Sequence, residues 1–172
     1  MKLTYVFLLM LLMIWKTAHS QHLESMTQIN YGDLPEQVQL ALNREITKMD
    51  LSSIRFNFYG IDNTDNYAIE FLMSGLDLEA LAGLEMILFA NDGVILEKRY
   101  KYYLEDILLY VPLEYIMQIQ DKVDASNLDY IRKFAPKDKE PDYRVLADDS
   151  VYIFDSNMKY IQAIERKKNQ AH

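Results

Sequence analysis

Cysteine, histidine and the carboxylates decide first which reactions this chain could run. Cysteine is absent, which removes disulfides, thiolate metal sites and a thiol nucleophile together. The histidines are His19, His22 and His172. All three lie near the chain ends, where nothing rigid holds a catalytic base or a metal ligand against its partners. Serine–histidine triads and zinc clusters are therefore not expected, and there is no glycine-rich phosphate loop. The 26 acidic residues would allow a two-carboxylate glycosidase by number alone, but scattered surface acids explain them better. Asp62-Asn63-Thr64-Asp65-Asn66 carries oxygen ligands of the calcium type. It lacks the spacing and distal glutamate of an EF-hand and reads as a turn. Asp148-Asp149 reads as a hairpin turn. The chain is thus expected to be non-catalytic, with no cofactor and no metal.

Arginine and tyrosine are the more informative types, because both anchor protein interfaces. The chain has 13 tyrosines, and Tyr100, Tyr102, Tyr103 and Tyr110 cluster within eleven positions. Packing between neighbouring structural units is the plain explanation for that cluster.

The elements that position these residues follow from charge and periodicity. Lys2, the apolar run Leu3–Trp15 and Ala18-His19-Ser20 have the form of an export signal, with cleavage before Gln21. The run is too short to span a bilayer comfortably, and no other stretch is a candidate span, so no membrane insertion is expected after cleavage. The protein is expected in the periplasm or outside the cell. Cleavage removes Lys2 and Lys16 from 18 basic residues, leaving sixteen against 26 acidic ones and a net charge of −10. That balance argues against nucleic acid as a partner.

Residues 21–32 show no period and read as a flexible leader. Asp33 is expected to cap a helix that carries Val38, Ala41, Leu42, Ile46 and Met49 on one face. Ile54, Phe56 and Phe58, then Tyr67, Ile69 and Phe71, alternate as strands do. Leu84 to Ala90 is apolar at nearly every residue, and Asn91-Asp92-Gly93 turns it into a strand from Val94 to Tyr100. Residues 101–110 read as a linker, with Leu104, Ile107, Leu108 and Val111 on one face of a short helix. Leu113, Ile116, Ile119 and Val123 predict another helix, and strand-like sequence follows to Ile164.

The second half echoes the first. Pro35 to Pro112 is a step of 77, and so is Ile54-Arg55 to Ile131-Arg132. The fold class expected is α+β, as two tandem repeats of one helix and about four antiparallel strands. They would occupy residues 33–100 and 111–167, with a tail at 168–172.

The chain resembles the PepSY-like, beta-lactamase-inhibitor-like proteins exported by Bacteroidetes-type bacteria. Their motifs appear as Leu34-Pro35, Tyr67-Ala68-Ile69 and Phe89-Ala90-Asn91-Asp92-Gly93. They recur as Val111-Pro112, Tyr143-Arg144-Val145 and Phe154-Asp155-Ser156-Asn157-Met158. The first copy lacks the aspartate after phenylalanine, and the second has Met158 where glycine is usual, which points to a turn role for this motif. The resemblance implies helices packed on one face of a curved sheet. It also implies a binding or inhibitory role without enzyme activity.

If helices cover the face holding Phe56 and Ile69, the opposite face holds Arg55, Tyr59, Leu72, Arg132, Phe134 and Arg144. With Tyr102 and Tyr103 of the linker, these are the candidate residues for holding a protein or peptide partner. The apolar strand Leu84–Ala90 would need both faces covered, by a partner, a second subunit in a homo-oligomer, or a loop. The alternative is a small-ligand or calcium-binding protein of the cell envelope.

Overall fold

A computed structural model of the chain describes residues 25–48, 54–72, 83–103 and 106–165. The export signal, the 73–82 connection and the 166–172 tail lie outside the described residues. Among the described residues the architecture is one antiparallel sheet of nine strands paired in sequential order. Its strands are β1 (Met26–Ile29), β2 (Arg55–Ile61), β3 (Asn66–Leu72), β4 (Leu84–Ala90), β5 (Ile95–Tyr103), β6 (Leu128–Pro136), β7 (Asp142–Ala147), β8 (Ser150–Phe154) and β9 (Tyr160–Glu165). Helix α1 (Glu36–Thr47) lies between β1 and β2. Helices α2 (Ile107–Tyr110) and α3 (Leu113–Gln120) lie between β5 and β6.

This corrects the expectation of two tandem repeats. β5 and β6 pair directly from Glu97↔Pro136 to Tyr103↔Tyr130, so the halves share one backbone ladder and no linker separates them. Lys101, Tyr102 and Tyr103 are strand residues, not linker residues. Tyr100 packs against the core on both sides of that join.

The helices α1, α2 and α3 contribute to the core on one face of the sheet. From α1 and the turn before it, Leu34, Val38 and Leu42 bury against Ile69, Ile87 and Phe89. Farther along the sheet, Ile107, Val111, Ile119 and Val123 bury against Ile131, Val145 and Phe154. Each fully buried side chain of this size contributes roughly 1.5–3 kcal/mol relative to exposure. Not every periodic position turns inward: Leu108 is 70% exposed and Leu113 62%. Their helices are short, so only one narrow stripe reaches the sheet.

Two local expectations are also corrected. Residues 26–29 are a strand, not part of a flexible leader; Met26 to Ile29 pair with Ile61 to Phe58. β1 is almost wholly exposed, so it has no apolar period to betray it. Asp33 does not cap α1. Its carboxylate accepts from the Asn30 backbone N–H at 2.9 Å and closes the 3₁₀ turn Tyr31–Asp33. The helix has no side-chain cap; its first backbone bonds run to the Pro35 carbonyl, which accepts from the Val38 and Gln39 N–H groups at 3.0 Å.

The turns hold special backbone. Gly93 has φ +81° at the β4–β5 hairpin, as Asn91-Asp92-Gly93 predicts. At the β8–β9 turn Met158 adopts φ 59°, with its side chain buried in the core. Glycine would suit that backbone better, but it would forgo the packing.

One ion-pair group ties α1 to the sheet. Glu45 of α1 is buried and accepts from Lys98 Nζ of β5 at 2.7 Å and from Lys48 Nζ. Burial opposes the charge on Glu45, but the bonds from Lys48 and Lys98 prevail and hold the carboxyl below its usual range. A carboxyl depressed by folding adds stability above its unfolded pKa, which is lost as pH falls through the folded value. Glu45→Gln is therefore expected to cost about 1–2 kcal/mol at pH 7. In urea titrations the difference from the parent should shrink as pH falls below about 4.5.

Candidate functional site

The helix-free face of the sheet gathers most of the candidate residues. Pairing places Arg55 beside Leu72, Lys101 beside Arg132 and Tyr103 beside Tyr130, and Arg132 beside Arg144. Alternation then puts Arg55, Tyr59, Leu72, Tyr103, Arg132, Phe134 and Arg144 on this face. Tyr102 is the exception. It pairs with Ile131 and turns into the core, stacked between Tyr100 and Tyr110 with ring centres 6.4 and 5.5 Å away. Burial pushes its hydroxyl well above the usual tyrosine range. Tyr102 is a core residue and is withdrawn as a partner-binding candidate.

Four of the remaining residues, Tyr103, Arg132, Phe134 and Arg144, belong to two cation–aromatic groups, whereas Arg55, Tyr59 and Leu72 belong to neither. Phe134 lies under two guanidinium groups, Arg144 at 3.8 Å and Arg99 at 5.3 Å from the ring centre. Beside it, Lys101 Nζ sits 4.6 Å from the Tyr103 ring centre and 4.4 Å from that of Tyr130, which Arg132 approaches at 5.2 Å. Such contacts contribute roughly 0.5–2 kcal/mol each, more where water is excluded. Laid over the rings, the long side chains leave Phe134 only 8% exposed.

Carboxylates position the cations. Glu85 grips Arg132 through two bonds, Nε to Oε2 at 2.8 Å and Nη2 to Oε1 at 2.6 Å. Burial disfavours the charged guanidinium, yet the Glu85 bonds raise the Arg132 pKa above its usual range. Glu97 accepts from Arg99 Nε. Asp142 approaches Arg144 Nε at 3.8 Å. Burial raises the Asp142 pKa despite the attraction of Arg144. At the β2–β3 end, Glu70 accepts from Asn57 at 2.9 Å and from Tyr59 at 3.0 Å. Burial first and then that bond raise the Tyr59 pKa.

Two irregularities in the β4–β5 ladder build this arrangement. Leu84 pairs with Tyr100 and Met86 with Arg99, so Glu85 is an extra residue. The bulge lets Leu84 face the helices and Met86 face away, and it aims Glu85 at Arg132. A second shift makes Leu96 the extra residue on β5.

The apolar character of β4 is thereby explained within the chain. Ile87 and Phe89 join the helix-side core. Met86 and Leu88 form a smaller cluster on the other face with Ile61, Ala68, Tyr59 and Leu96. Arg99 adds a cover, its Nη1 3.6 Å from the Met86 sulfur. Among the described residues, Met86 and Leu88 are buried on this face.

Sequence reasoning missed Glu85, Arg99, Lys101 and Tyr130. The polar–aromatic alternation from Glu97 to Tyr102 was the available signal for extending β5. Elsewhere, Asp62 is held below its usual range by hydrogen bonds from the Ser25 and Thr27 side chains, which pin β1 to the β2–β3 turn.

No family model matches the chain, and no curated protein matches it. Among solved structures, a Bacteroides eggerthii protein described as periplasmic aligns with a TM-score of 0.55. The alignment covers 77% of this chain and 88% of that one, at 14% identity. The two share a fold. Among the described residues no helix is long and apolar enough to cross a membrane.

Proposed function

We propose that this chain is an exported, non-catalytic binding module that holds a carboxylate-bearing protein or peptide segment on the helix-free face of its sheet. The observation that carries this reading is the set of cations spread over aromatic rings there: Arg99 and Arg144 over Phe134, with Lys101 between Tyr103 and Tyr130. Arginine on an aromatic platform offers flat apolar area and directed donors together, the combination that interface anchors use. Arg55 and Tyr103 are exposed on the same face, within reach of an incoming chain. Export is supported by the N-terminal apolar run with its Ala-x-Ser end, and by the shared fold with a protein described as periplasmic.

The test uses substitutions at the exposed edge of this face. Arg132→Glu would set two carboxylates against each other and confuse folding with binding. Arg55→Glu combined with Tyr103→Ala removes one exposed cation and one exposed ring. This pair is expected to weaken capture of the partner from envelope extract at least about tenfold while the fold is retained, with thermal unfolding lowered only by the lost contacts of the Tyr103 ring with Lys101 and Tyr130. Unchanged capture by the folded double variant would remove this face from the function.

A further inference from the structure

We infer that the groove between α1 and the β4–β5 hairpin, on the opposite side of the sheet, is a binding site for an amphiphilic anion: an apolar body carrying one carboxylate or sulfonate. The groove has a volume of about 930 Å³, in the range of small-molecule sites. Helix α1 forms one wall and the hairpin the other. Ala41, Tyr100 and Ala135 supply apolar surface, and Arg44, Lys98 and Lys137 supply positive charge.

The charge balance of this groove runs against that of the molecule. Its lining carries Arg44, Lys48, Lys98 and Lys137 against the single carboxylate of Glu45, in a chain of formal net charge −8. Glu45 bonds Lys48 and Lys98. Arg44 and Lys137 form no ion pair among the described residues. Lys133 adds a further cation nearby, 5.8 Å from the Tyr100 ring centre. Concentrated like charge at the wall of a concave apolar surface raises the local concentration of anions. A small hydrophilic anion would not use the Tyr100 and Ala135 surface, and a neutral apolar ligand would not use the cations. An amphiphilic anion uses both.

Gly93 makes the groove possible. A Cβ there would stand 2.4 Å from the Gln37 carbonyl oxygen, so the hairpin approaches α1 this closely only with glycine. The groove and the cation–aromatic face lie on opposite sides of the sheet, and the two proposals stand or fall separately.

The experiment uses the mature chain, residues 21–172, with 1-pyrenebutyrate as probe and 1-pyrenebutanol as its neutral match. Fluorescence titration is read beside amide NMR shifts. The expected result is one pyrenebutyrate site that shifts Ala41, Ile95 and Ala135, with pyrenebutanol at least about tenfold weaker. Arg44→Glu with Lys137→Glu should weaken pyrenebutyrate about tenfold and leave pyrenebutanol unchanged. Both residues are exposed; if the pair fails to fold, Lys137→Gln provides the same comparison. Equal binding of acid and alcohol would overturn the assignment. So would shifts centred on Leu108, Leu113 and Met117, or acetate competing as well as pyrenebutyrate binds.

Discussion

Gly93→Val is expected to lower the free energy of unfolding by at least about 3 kcal/mol. Two costs add. Gly93 holds φ +81°, a conformation that penalises any L-residue and most of all a β-branched one. In addition, the new Cβ would meet the Gln37 carbonyl oxygen at 2.4 Å and its carbon at 2.8 Å. Those are backbone atoms of α1, so relief requires the helix or the hairpin to move. Separation would expose part of the core around Val38 and Phe89. Urea denaturation followed by far-UV circular dichroism measures the loss. A change under about 1 kcal/mol would mean that the hairpin does not dock on α1 as described.

Phe154→Ala is expected to cost about 3–5 kcal/mol by leaving a cavity in the core under α3. Phe154 is 1% exposed, and its ring meets Tyr160 edge-on at 5.9 Å. The form of the transition is as informative as its midpoint. One ladder runs through β5 and β6, so a lesson at the β8 end should destabilise β2 and β3 as well. Far-UV and tyrosine near-UV signals should then fall together in a single transition. Two resolved transitions would mean that the halves melt as separate units, against the single sheet.

The contrast between readable and unreadable parts of this chain follows the range of the interactions concerned. Phe56 and Phe58, Tyr67 and Ile69, and the turn at Gly93 announce themselves because alternation and turn chemistry are local. The join at β5–β6 does not, because it pairs residues more than twenty-five positions apart. A step of 77 between Pro35 and Pro112 reports that two stretches look alike, and is silent on whether their strands bond to each other. β1 was hidden for the opposite reason: three of its four residues are exposed, and it is held by backbone bonds and by the Ser25 and Thr27 hydroxyls on Asp62, which leave no apolar period.

The candidate site divides in the same way. Arg55, Tyr59, Leu72, Arg132, Phe134 and Arg144 were assigned to one face by alternation alone, and the strand register places them there. In the sequence Tyr102 and Tyr103 read as a pair of linker residues, whereas strand geometry sends neighbours to opposite faces. Glu85 could not be found, because its direction depends on a bulge that interrupts the alternation of an otherwise apolar strand. The cover over Met86 was likewise hidden, since it depends on where the Arg99 side chain lies.

The most direct measurement of the central claim is site-specific photo-crosslinking in the envelope of the producing cell. A photoreactive residue at Tyr103 samples the cation–aromatic face, and one at Gln118 of α3 samples the helix side. A defined adduct is expected from position 103, mapping to a carboxylate-bearing segment of one protein and lost with Arg55→Glu. Position 118 should not give that adduct. The same adduct from both positions, or one from position 118 alone, would contradict the assignment of partner binding to the helix-free face.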